Sequence, residues 1–140
     1  MQNVQRPTAA FVGAAWVAML IGAGAYLAGL FNSTMPLNEK GYYLTVLLYG
    51  LFSAVSLQKS VRDRMEGTPV TGMYFALCWI STLLALGLLG VGLVNATLTP
   101  SEKGFYAMAY ILSLFAAVAV QKNVRDIAGG KEKTASSDTV

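Results

Sequence analysis

"EKGYYLTVLLYGLFSAVSLQKSVRD", Glu39–Asp63, is charged at both ends and uncharged over the stretch Gly41–Gln58. As an α-helix that stretch is about 27 Å long, close to the roughly 30 Å hydrocarbon core of a bilayer. The flanking Glu and Lys side chains extend to the interface along it. It reads as a membrane span. The sequence on either side has the same character: Thr8–Phe31 is almost continuously apolar, and Gly67–Ser101 and Gly104–Gln121 carry no charge. Helices are predicted over residues 8–32, 38–65, 70–96 and 100–128. The chain of 140 residues is 55% hydrophobic and only 12% charged, with mean hydropathy +0.54; soluble domains have about a quarter of their residues charged. So short a chain cannot bury four such helices on all sides in water. The expected fold class is all-α, an integral membrane protein with four transmembrane helices. A cleavable signal peptide is rejected for the first span, because the run is too long and its counterpart recurs internally at 71–97.

The opening motif returns 63 residues later as "EKGFYAMAYILSLFAAVAVQKNVRD", Glu102–Asp126. Residues 8–67 align with 71–130 without a gap, and 22 of the 60 paired positions are identical. Trp16 pairs with Trp79, Gly24 with Gly87 and Gly67 with Gly130, and "QKxVRD" stands in register in both copies. Apolar composition cannot place charged motifs in register at both helix ends, so the chain is an internal duplication. The expected units are a first two-helix repeat (1–67), a second (68–130), and a disordered cytoplasmic tail (131–140) rich in Lys, Ser and Thr. Two crossings per copy return each copy to the side it entered from. That predicts two tandem parallel two-helix hairpins about a pseudo-two-fold axis along the membrane normal. Eight of the ten Lys and Arg residues fall on the side of the termini and only Lys40 and Lys103 on the other. Positive-inside bias then places both termini in the cytoplasm.

The motifs at the helix ends have physical readings. "TPSE" at Thr99–Glu102 is a capping box with Thr99 at N-cap and Pro100 at N1. "PLNE" in the first copy lacks the Thr, which makes Asn38 the expected cap and starts that helix later. Glu39 and Glu102 sit at the positive ends of helix dipoles. Tyr42, Tyr43, Phe105 and Tyr106 are expected in an aromatic belt at the outer interface. The alternative is an outward site for a headgroup or small ion, with Lys40 and Lys103 as cationic donors. At the opposite end, Gln58, Lys59, Arg62 and Asp63, with their copies Gln121, Lys122, Arg125 and Asp126, are the candidate lipid or partner contacts. Lys59 and Asp63, like Lys122 and Asp126, are spaced to pair on one helix face, and Gln58 and Arg62 are spaced to bond each other or a neighbouring helix's carbonyls. Asn32 and Asn95 are expected as left-handed C-terminal caps. Trp16 and Trp79 lie too deep for interfacial anchors and are expected near the pseudo-axis. Small residues, among them Gly22, Gly29 and Gly50, mark the seams where helices approach closely.

His is absent and Cys78 is the sole cysteine. These facts rule out a disulfide within the chain and a zinc cluster, and leave no histidine to act as a base near neutral pH. No catalytic residue, metal or cofactor is expected, and the chain is read as a non-enzyme. "LNEKGYY", "GLFSAVSLQKSVRD", "SEKGFY" and "SLFAAVAVQKNVRD" together resemble the YiaA/YiaB two-helix-domain family over roughly residues 8–128. The resemblance implies a multi-pass protein of the bacterial inner membrane and supplies no catalytic or ligand residues. The expected partners are membrane lipids and either further copies of the chain or other inner membrane proteins, with no nucleic acid. The favoured role is structural, in assembly or interaction. The alternative is a small oligomeric transporter or channel, against which stands the lack of an ionisable group inside the spans.

Overall fold

The computed structural model describes residues 6–138, which form four helices: α1 (Ala9–Phe31), α2 (Leu37–Met65), α3 (Gly72–Asn95) and α4 (Pro100–Asp138). All four are long and apolar enough to cross a membrane. Thr8 and Thr71 cap α1 and α3, accepting hydrogen bonds from the N–H groups of Phe11 at 3.1 Å and Tyr74 at 3.2 Å. Thr99 accepts from the Glu102 N–H at 3.2 Å, the bond the capping box requires. In α2, by contrast, Pro36 is the cap and makes no side-chain bond. Its carbonyl accepts from the Glu39 and Lys40 N–H groups. Asn38 therefore lies inside the first turn and does not cap it, since the preset φ of proline already suits a helix start.

The two copies end differently. In α2 the Gly67 N–H bonds the Arg64 carbonyl and the Thr68 N–H bonds the Asp63 carbonyl, with Gly67 at φ +80°. This is a Schellman termination, and Pro69 prevents continuation. Gly130 stands at the matching place in α4 with no proline after it, and the helix runs on to Asp138. The predicted disordered tail is thus helical as far as Asp138, and its last two residues lie outside the described ones. Lys131, Glu132, Lys133 and Ala135 are good helix formers. Arg6 adds support by packing on Gly130 and donating to Thr134 Oγ1. Neither Asn32 nor Asn95 adopts the left-handed conformation. Asn32 caps α1 at φ −87°, ψ −2°, and Asn95 is the last residue of α3, donating its side chain to the Val91 carbonyl.

Packing does not follow the chain. α1 lies along α4, α3 lies along α2, and α2 meets α4 at the centre, whereas α1 only grazes α2 and α3 only grazes α4. Each hairpin is splayed, and each outer helix rests on the inner helix of the other repeat. Small residues decide this, because close backbone approach supplies the dispersion contacts that lipid cannot drive. Gly22 admits the backbone of Ser113, Gly29 admits Phe105 and Tyr106, and its counterpart Gly92 admits Tyr42 and Tyr43. Such reciprocity is the mark of the pseudo-two-fold axis. Gly50 faces the Tyr110 ring so closely that a Cβ there would lie 2.8 Å from Cζ.

The centre is occupied by tyrosines. Tyr43 and Tyr106 stack across the axis with ring centroids 6.3 Å apart, and the Tyr26 and Tyr110 hydroxyls donate to the carbonyls of Tyr43 and Val46. Buried hydroxyls need such partners. Tyr43 and Tyr106 therefore belong to the core, and only Tyr42 and Phe105 of the expected belt are exposed. Trp16 and Trp79 are each 45% exposed. They do not pack at the axis because α2 and α4 fill it.

Candidate functional site

At the turn end of the bundle, the duplicated Glu-Lys-Gly motif joins consecutive helices. Lys40 Nζ lies 3.3 Å from the Phe31 carbonyl and Lys103 Nζ lies 3.5 Å from the Val94 carbonyl, in the last turns of α1 and α3. These carbonyls lack helical partners and form the negative ends of dipoles. The lysines thus supply what a left-handed asparagine cap would have supplied. Glu39 and Glu102 stand in the first turns of α2 and α4. A crevice of about 500 Å³ with a mixed lining is bordered by Asn32, Ser33, Thr34, Ser101 and Glu102 together with Leu98, Phe105 and Tyr106. The two lysines expected as donors of an outward site do not line it and point to carbonyls instead.

At the opposite end, α2 and α4 bring the two Gln-Lys-x-Val-Arg-Asp motifs together. Lys59 pairs with Asp63 at 2.9 Å and Lys122 with Asp126 at 3.0 Å, as their spacing predicts. The arginines cross between the repeats: Arg62 binds Asp126, and Arg125 binds Asp63 at 2.6 Å. Glu66 then accepts from both, at 2.8 Å from Arg62 Nε and 2.7 Å from Arg125 Nη2. Arg62 takes these in place of Gln58 or a helix carbonyl, the two partners its position allowed, because charge-assisted bonds to carboxylates are the stronger ones. Gln58 and Gln121 are half-buried at the lipid-side edge of the cluster. The hydrogen bonds from Arg62 and Arg125 hold the Glu66 carboxyl below the ordinary glutamate range. The arrangement ties the repeats together, and Lys59 and Lys122 remain half exposed, at 56% and 49%.

Three members of this region are not among the repeated residues of the motif. Glu66 matches Gly129 in the other copy, so a single carboxylate serves both arginines. Ser60 and Asn123 occupy the variable x position, polar in both copies, and both are buried. Ser60 Oγ donates to the Ser56 carbonyl and lies 3.4 Å from Cys78 Sγ. Both polar side-chain atoms of Asn123 are buried with no partner among the described residues. A polar residue kept at x in both copies was the available sign of a buried, helix-facing position.

The yiaA/B two helix domain matches residues 11–63 and again residues 74–126. Inner membrane protein YiaA of Escherichia coli is 56% identical over 117 residues, covering 84% of this chain and 81% of its own length. Inner membrane protein YiaB of the same organism is 31% identical over 96 residues, covering 69% and 81%. The membrane protein YubF of Bacillus subtilis is 34% identical over 67 residues, covering 47% and 77%. No solved structure matches the chain.

Proposed function

The chain belongs to the yiaA/B two helix domain family, as a multi-pass inner membrane protein in contact with lipid, and we propose that it works there as an assembly or interaction component. The observation that carries this reading is the crossed arginine–aspartate clasp. It locks the central helices to each other, where a carrier would need two packings of its halves. The spans also lack the ionisable groups on which ion or proton carriers depend. The Lys- and Arg-rich end, with both termini, faces the cytoplasm; terminal tags that react with impermeant reagents from outside intact cells would reverse that orientation. The role itself is tested by native-mass measurement and copurification from the native membrane. A defined oligomer or a stoichiometric partner is expected, and a solitary monomer would contradict the proposal.

A solute path is favoured by one observation: Ser53 Oγ and the Asn123 amide are buried on the central helices without partners among the described residues. Flux through proteoliposomes that is blocked by Ser53→Leu or Asn123→Leu would establish that second reading instead.

A further inference from the structure

We propose that the groove between α2, α3 and α4 binds one acyl chain of an anionic phospholipid, with the headgroup held at Arg64 and Lys122. The groove exists because α3 only grazes α4. It encloses about 650 Å³. Its eleven lining residues are apolar except for Gln58 and Thr82, and the Thr82 hydroxyl is already satisfied by the Cys78 carbonyl at 2.9 Å. Gln58 and the Trp79 indole are the other lining groups that carry a polar atom.

Length selects the occupant. The lining runs over Ala54–Val61, Trp79–Leu86 and Ile111–Val118, which is about 10 Å along each helix at 1.5 Å per residue. That covers most of the roughly 15 Å of hydrocarbon in a single leaflet. A helix from a second copy would seat along the whole span, whereas a lipid chain needs only this much. The Val61, Trp79 and Val118 ends all lie toward the clasp, so the groove belongs to the leaflet at the Lys- and Arg-rich end.

The duplication carries independent information. Seven of the eleven lining positions hold the same residue in the other copy, against 22 of 60 over the whole repeat. Lipid-facing positions need only be apolar, yet Trp79, Phe115 and Gln58 recur as Trp16, Phe52 and Gln121. The pairs also match in exposure, with Trp16 and Trp79 both at 45% and Phe52 and Phe115 at 75% and 72%. Packing inside the bundle does not account for aromatics this exposed; a shaped groove does.

Charge completes the site. Arg64 lies one turn beyond Val61, 4.4 Å above the Phe75 ring, and has no carboxylate partner among the described residues. Lys122 lies one turn beyond Val118, on the same face of α4. The five cations Lys59, Arg62, Arg64, Lys122 and Arg125 outnumber the carboxylates Asp63, Glu66 and Asp126 by two. An anionic headgroup is drawn to such a cluster.

The test uses Trp16→Phe, which leaves Trp79 as the sole tryptophan, in phosphatidylcholine vesicles. A small, fixed fraction of lipid carries brominated chains on either phosphatidylglycerol or phosphatidylcholine. Brominated phosphatidylglycerol is expected to quench Trp79 severalfold more strongly, with the difference erased by Arg64→Gln plus Lys122→Gln. Equal quenching by the two lipids overturns the proposal. In native mass spectrometry, Thr82→Phe, which fills the groove from α3, is expected to lose the phosphatidylglycerol that the unaltered chain retains. Undiminished retention, or a dimer abolished by Thr82→Phe in place of lipid, also overturns it. The site stands whether or not the chain assembles with partners.

Discussion

The turn end and the clasp end of this bundle both carry duplicated, charged motifs and use them in opposite ways. At the turns, Lys40 and Lys103 reach back nine residues to the helix that precedes them. At the clasp, Arg62 and Arg125 reach across more than sixty residues to the other repeat. The first motif finishes a helix; the second joins two halves whose own hairpins scarcely touch. A duplicated charged motif therefore says that an end matters without saying to whom it binds.

Experiments can break or sharpen that contrast. The largest effect is expected between the two ends, at the seam both depend on. Gly50→Leu drives a side chain into the Tyr110 ring and should lower stability in detergent by about 3 kcal/mol, seen as a lower melting temperature. An unchanged melt would place the α2–α4 seam elsewhere. Next, Asp63→Ala with Asp126→Ala leaves both arginines without their crossed partners. The arginines are about a quarter exposed, so the loss should be about 2 kcal/mol, below that for a fully buried pair.

A double-mutant cycle sharpens the point further. Arg62→Gln and Asp126→Asn should couple by about 1 kcal/mol, whereas Lys40 should show no coupling to the clasp. The acid response comes next. Glu66 is held below its ordinary range in the folded chain, so its contribution is complete above that range and is lost as pH falls through the lowered value. Glu66→Gln should flatten that acid loss by about 0.5 kcal/mol, the group being nearly half exposed. The smallest effect belongs to the turns: Lys40→Gln alone, or Lys103→Gln alone, should cost about 0.3 kcal/mol, read in the same melts.

Much of the fold was legible because membrane spans declare themselves by charge-free length. Helix limits at Ala9–Phe31, Leu37–Met65 and Gly72–Asn95 fall within two residues of those predicted. The pairs four residues apart, Lys59–Asp63 and Lys122–Asp126, were legible from helix geometry alone. Partner choice was not. In water an apolar stripe marks the packed face, but a helix in lipid is apolar all round. Nothing in the sequence separated Tyr43, which packs at the axis, from Phe105, which faces outward. The same ambiguity misplaced Trp16 and Trp79. The run of α4 past Gly130 was hidden because two adjacent glycines look like a stop, and the missing proline and the helix formers that follow are what distinguish them from Gly67.

The central claim is that α1 packs on α4 of the other repeat, and one disulfide tests it. Cys78 and Ser60 face each other across α3 and α2, and their counterparts under the pseudo-two-fold are Ala15 and Asn123. In a Cys78→Ala background, Ala15→Cys with Asn123→Cys should oxidise readily and hold the halves together after cleavage at a protease site placed in the 66–71 loop. Separation of the halves, with position 15 instead cross-linking to Ser53→Cys on α2, would contradict it.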